Sequence, residues 1–158
     1  MSGDGMDEKH WSMNEVLDFA IAREIEASEF YTDLAAQMDA PAMKKVLEDF
    51  AKEEMGHKTK LEAVKRGEYV FGAGAGPAKG LGLAEYLVEG EPSPDMSYPE
   101  ALILAMKKEK AAYKLYLDLS AMAGDDSLKN LFLSLAGEEA KHKLRFEIEY
   151  DDNILREG

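Results

Sequence analysis

Apolar residues recur at alternating steps of three and four along four stretches of the chain, the spacing that lines one face of an α-helix. The first stripe runs Leu17, Ala20, Glu24, Ala27, Tyr31, Leu34 and Met38, and the second Met43, Leu47, Phe50, Glu54, His57, Leu61 and Val64. The third runs Leu102, Ala105, Glu109, Ala112, Tyr116, Leu119 and Ala123. The fourth runs Leu128, Phe132, Leu135, Glu139, His142 and Phe146, and reaches solvent at Glu149. Every stripe thus carries a carboxylate among apolar residues, and the second and fourth add a histidine.

Start and stop signals predict helices over about 12–38, 40–66, 98–123 and 126–155. Ser12 with Glu15 and Ser97 with Glu100 have the form of capping boxes. Asp39 is a candidate N-cap with Pro41 in the first turn, Gly67 a candidate C-cap glycine, and Asp125 or Asp126 a cap for the last helix. Short connections make two antiparallel hairpins. Between them, 67–97 is a long crossover in which Gly72, Gly74, Gly76 and Gly80 bracket Pro77, Pro92 and Pro94 punctuate the far end, and 81–88 can form a short helix. A connection of that length joins ends about one helix apart, so the second and third helices are expected to run parallel.

The hairpins repeat each other. Glu53-Glu54-Met55-Gly56-His57 recurs as Glu138-Glu139-Ala140-Lys141-His142 at an offset of 85, which also maps Glu24 to Glu109, Ala27 to Ala112 and Tyr31 to Tyr116. Two copies are too few for a solenoid, and the expectation is two hairpins packed face to face about a pseudo-two-fold axis. With 158 residues the whole chain, 1–158, reads as one all-α domain, a four-helix bundle with its own core.

The charges in the stripes carry the chemistry. Burying an ionised carboxylate costs several kcal/mol unless a partner or a metal neutralises it, and the stripes contain no Lys or Arg. Residues i and i+3 share a helix face, so Glu54 and His57 can reach one ion, as can Glu139 and His142. Glu24, Glu54, Glu109 and Glu139 together bring four negative charges, which two divalent cations cancel while His57 and His142 bind as neutral imidazoles. One inward Glu from each of two helices and Glu-x-x-His from each of the others is the ligand set of carboxylate-bridged di-iron and di-manganese bundles, with Glu54 and Glu139 as the expected bridges. Tyr31 and Tyr116 either fill the core with satisfied hydroxyls or hydrogen-bond a ligand carboxylate. They join the four glutamates as candidate catalytic residues. Glu53 and Glu138 lie about 100° from the ligand direction on a helical wheel and read as surface charges; His10, near the start, also reads as a surface residue.

Composition narrows the function. A net charge of −13 argues against nucleic acid or an anionic membrane as partner. With no cysteine, disulfides, thiol nucleophiles and thiolate-held iron centres are excluded from the chain. The polar start and the lack of an apolar run near the roughly 20 residues of a membrane span point to the cytoplasm.

At Glu24 with Tyr31, Glu54-Met55-Gly56-His57, Glu109 with Tyr116 and Glu139-Ala140-Lys141-His142, the sequence resembles the rubrerythrin branch of the ferritin-like superfamily, over about Ser12 to Asp151. The resemblance implies a ferritin-like bundle with a non-haem di-iron centre on Glu24, Glu54, His57, Glu109, Glu139 and His142, assembled as a homodimer. Manganese and zinc suit the same donors, so iron rests on the resemblance. Typical relatives add a cysteine-bound iron domain, absent here, which makes a separate electron-donor protein necessary. They also carry a glutamate where this chain has Ala112, so the redox-linked exchange of an iron between that glutamate and a histidine is not expected, and the site should be more symmetrical. The leading expectation is an oxidoreductase reducing hydrogen peroxide, or dioxygen, with external electrons. Iron oxidation and storage of the bacterioferritin type, and a non-catalytic metal or redox sensor, are the alternatives.

Overall fold

Ser12 accepts a hydrogen bond from the Glu15 backbone while the Glu15 carboxylate accepts from the Ser12 N–H, so the expected capping box opens helix α1, Met13–Ala36. The same pair recurs at Ser97 and Glu100 and opens α3, Tyr98–Met122. Such caps satisfy N–H groups that the first turn would otherwise leave unpaired, for about 1 kcal/mol each. Helix α2 spans Pro41–Lys65 and α4 Asp126–Glu157. The computed structural model describes residues 11–69, 81–88, 90, 92–93 and 95–157. His10, Gly72, Gly74, Gly76, Pro77, Gly80 and Pro94, singled out above, fall outside them.

Two local expectations are corrected. Helix α2 is preceded by Ala40 as N-cap with no side-chain cap, because Pro41 already occupies the first helical position and leaves Asp39 one residue too early. The short crossover helix is one 3-10 turn, Leu83–Tyr86, narrower than 81–88. At α4 the choice between two aspartates resolves to Asp125, whose Oδ1 accepts from the Leu128 N–H at 2.8 Å. Gly67 follows α2 with φ +86°, a left-handed conformation that favours glycine, and its N–H returns to the Val64 carbonyl.

The helices pair as α1 with α2 and α3 with α4. Between the pairs, Tyr31 of α1 meets Glu109 of α3 while Tyr116 of α3 meets Glu24 of α1, a crossed pairing that requires the two helices to run antiparallel. Since each hairpin is itself antiparallel, α2 and α3 run parallel, the direction that the long crossover predicts.

The core is split by the polar centre. One apolar cluster gathers Leu17, Leu61, Leu119, Leu128, Phe132 and Leu135, the other Tyr31, Leu34, Leu47, Leu102 and Phe146. Glu149, expected at the solvent limit of its stripe, instead accepts the Tyr98 hydroxyl at 2.8 Å. Among the described residues no helix is long and apolar enough to cross a membrane.

Candidate metal centre

Each stripe glutamate has core residues one turn before and after it, so the helix that buries them carries the carboxylate inward as well. Glu24, Glu54, His57, Glu109, Glu139 and His142 are all at most 2% exposed. Their ligand-type atoms meet in two groups, Glu24, Glu54, His57 and Glu139, and Glu54, Glu109, Glu139 and His142, each with its atoms within 4.8 Å of one another. Glu54 and Glu139 are common to both.

The geometry is close to symmetrical. His57 Nδ1 lies 3.1 Å from Glu54 Oε1, 3.4 Å from Glu24 Oε2 and 3.7 Å from Glu139 Oε1. His142 Nδ1 lies 3.2 Å from Glu109 Oε2, 3.4 Å from Glu139 Oε1 and 3.7 Å from Glu54 Oε1. The imidazole planes are nearly parallel, with centroids 6.4 Å apart. One difference breaks the symmetry: Phe50 stacks on His142 at 3.9 Å, and the residue at the matching position of the second copy is Leu135.

Glu53 and Glu138 read as surface charges, and Glu53 is exposed and Glu138 half-buried, but each also makes a contact inward that the sequence reading missed. Glu138 Oε1 lies 2.7 Å from His57 Nε2 and Glu53 Oε1 2.9 Å from His142 Nε2, each carboxylate reaching the histidine of the other hairpin. A helical wheel treats one helix alone. Here α2 and α4 face each other, so a residue beside the ligand on one lies against the histidine of the other. An Nε2–H donated to a carboxylate leaves Nδ1 pointing at the centre with its lone pair available. The signal was present in the sequence, since Glu53 and Glu138 obey the same offset of 85 as the ligands.

Both tyrosine hydroxyls donate hydrogen bonds to carboxylates of the centre, Tyr31 to Glu109 and Tyr116 to Glu24, crossing between hairpins. Of the two roles open for them, the structure shows the contact with the carboxylates. Burial, together with the neighbouring carboxylates, pushes both phenols well above their ordinary range, so they remain donors.

Electrostatics show what the cluster lacks. Burial and the negative neighbours raise Glu54 and Glu139 well above ordinary carboxylates. Burial alone would depress the imidazoles, but carboxylate contacts outweigh it, lifting His142 to about 9 and raising His57 as well. Glu24, Glu54, Glu109 and Glu139 each still keep an Oε1 atom buried without a hydrogen-bond partner, as does His57 at Nδ1. Five inward-facing atoms without donors or acceptors of their own, in a set of carboxylate oxygens and imidazole nitrogens, fit divalent cations.

A pH dependence follows for the metal-free protein. Glu54, Glu139 and His142 bind protons more tightly folded than unfolded, so their stabilisation is complete below the unfolded pKa values and is lost as pH rises through the folded ones. In a chelator-treated sample the melting temperature is therefore expected to fall between about pH 5.5 and about pH 8.5, while the increment given by added metal grows over the same window. Calorimetry at the two pH values, with and without metal, measures both slopes; a metal-free protein that gains stability with pH would contradict this assignment.

Residues 15–73, covering nearly all of α1, all of α2 and the start of the crossover, match the family model Rubrerythrin. No curated protein matches the sequence. Among solved structures the chain is similar to a Thermotoga maritima protein provisionally described as a ferritin-like diiron-carboxylate protein, with TM-score 0.78, 20% identity, and coverage of 91% of this chain and 97% of that one. A hypothetical protein from Pyrococcus furiosus follows at TM-score 0.68 and 26% identity, covering 89% of each chain. An uncharacterised conserved protein from Magnetospirillum magnetotacticum gives TM-score 0.62 and 24% identity over 90% of this chain and 95% of that one. The fold is ferritin-like, and the resemblance to rubrerythrin is borne out over residues 15–73, which hold Glu24, Tyr31 and Glu54-Met55-Gly56-His57.

Proposed function

We propose that this chain is a carboxylate-bridged di-iron oxidoreductase that reduces hydrogen peroxide, or dioxygen, with electrons from a separate donor protein. The observation that carries the reading is the pair of overlapping ligand groups sharing Glu54 and Glu139, with their inward atoms unpartnered. Glu24, Glu54, His57 and Glu139 would hold one cation, and Glu54, Glu109, Glu139 and His142 the other. The choice of iron over manganese or zinc is supported by the Rubrerythrin match and by the likeness to the Thermotoga maritima protein described as a diiron-carboxylate protein. Two irons held there would supply the two electrons that reducing a peroxide takes.

The protein's own residues set the conditions. Glu138 and Glu53 orient the imidazoles through Nε2. Tyr31 and Tyr116 hold Glu109 and Glu24 in place through their hydroxyl protons. The two apolar clusters close the centre off from bulk water at its two ends.

A homodimer working in the cytoplasm completes the reading. Protein purified from iron-replete cells is expected to carry about two irons per chain and to consume hydrogen peroxide when a one-electron donor is supplied. Metal uptake without turnover across several donors would favour a sensor, and a shell-sized particle on size exclusion would favour iron storage.

A further inference from the structure

The carboxylate side of the centre opens into a cavity of about 270 Å³ between α1 and α3. It lies on the internal two-fold, for residues 85 apart face each other across it: Arg23 with Lys108, Ala27 with Ala112, and Tyr31 with Tyr116. The two alanines follow ligand glutamates by three residues, so methyl groups stand where longer side chains would fill the space. Leu115 adds an apolar wall, and Leu87 and Val88 of the crossover close over the top beside Tyr86. Tyr86 ties that cover to α3 by donating to Asp118 at 2.6 Å. Neither histidine lines the cavity, whereas Glu24, Glu54, Glu109 and Glu139 all do.

Hydrogen peroxide and dioxygen have two heavy atoms each. At about 30 Å³ per water molecule the cavity has room for on the order of ten non-hydrogen atoms, and two cations would take only part of it. At the rim, Glu26 binds Lys108 at 2.6 Å and Arg23 at 3.3 Å, which balances much of the positive charge and makes the entrance a poor trap for a highly charged anion. Arg23 Nε remains buried without a partner, a donor left for an oxygen atom. Apolar walls, a few convergent polar groups and a reactive floor are the features of a small-molecule site.

We propose that this cavity holds the organic group of a small hydroperoxide, R–O–O–H, with R lying against Ala27, Ala112, Leu115 and Val88 and the hydroperoxyl end directed at the carboxylate cluster. The inference rests on the peroxide-reducing reading and narrows its substrate class. The O–O bond breaks; two electrons drawn from the external one-electron donor and two protons from solvent convert R–O–O–H into R–OH and water.

The probe is 2-methyl-2-propanol, the alcohol product of tert-butyl hydroperoxide, titrated into zinc-loaded protein, which has no redox activity to confuse the readout. Calorimetry is expected to show saturable binding, and the Ala27 and Ala112 methyl resonances are expected to shift with it. Ala112→Leu and, from the opposite wall, Ala27→Leu should each weaken binding at least about tenfold by filling the space. In iron-loaded protein they should lower the ratio of kcat/KM for tert-butyl hydroperoxide to that for hydrogen peroxide by a similar factor. Absence of saturable binding to the unmodified protein, methyl resonances that stay still, or undiminished binding in both leucine variants overturns the proposal. Hydrogen peroxide turnover without alcohol binding removes this inference and leaves the peroxide reading standing; alcohol binding without turnover of either peroxide removes that reading, and the hydroperoxide assignment with it.

Discussion

Changing Glu54 and Glu139 together to glutamine is expected to take bound metal from about two ions per chain to none and peroxide consumption to background. These two side chains belong to both ligand groups, so their loss removes donors from each cation at once. Each site held at a hundred times its Kd would contribute about 2.7 kcal/mol, and the two together would raise the melting temperature on the order of 10–20 °C in a domain of this size. The double variant should lose that whole increment. Without metal the order is expected to reverse. Wild type then keeps two carboxylates at 1% exposure beside each other's charge, whereas the amides are neutral and nearly the same shape. The metal-free variant should melt at or above metal-free wild type at about pH 8. Metal analysis and paired melting curves decide it: two ions retained, or a metal-free variant that is much less stable, would break the argument that cations are what makes this cluster tolerable.

Phe146→Ala is the substitution expected to damage the apolar frame most. The ring is fully buried and packs at 5.3 Å from Tyr31 and 5.4 Å from Phe50, centroid to centroid. Removing it should cost about 3–5 kcal/mol, the transfer term plus the cavity left behind, and lower the melting temperature by roughly 10 °C. The effect on metal should be uneven. Tyr31 holds Glu109, and Phe50 stacks on His142, so the loosened neighbourhood is that of the second ligand group. One tightly and one weakly held ion per chain is the expected result of a metal titration. A loss below about 1 kcal/mol in denaturant unfolding would mean that the site collapses around the gap.

The helices were legible because their information is local. A three-and-four step of apolar residues, Ser12 with Glu15 and Ser97 with Glu100, and Gly67 at a left-handed turn depend only on neighbours along the chain, and the observed ends lie within two residues of those expected. Where two local signals competed, as Asp39 did with Pro41, the residue that fixes its own backbone angle set the boundary. Inward placement of Glu24, Glu54, His57, Glu109, Glu139 and His142 could be read for the same reason: a residue on an apolar stripe goes where the stripe goes.

Contacts between helices lay beyond that reading. The chain's order, by itself, determined four amphipathic helices, their duplication and the burial of six polar side chains, since period and repeat are properties of one dimension. Only the tertiary structure decided that Glu53 and Glu138 cross to the opposite histidines, that the tyrosines exchange hairpins to reach Glu109 and Glu24, and that small residues at Ala27 and Ala112 leave a cavity over the carboxylates. Each of these depends on the direction and rotation of one helix against another, which follow from how whole surfaces pack.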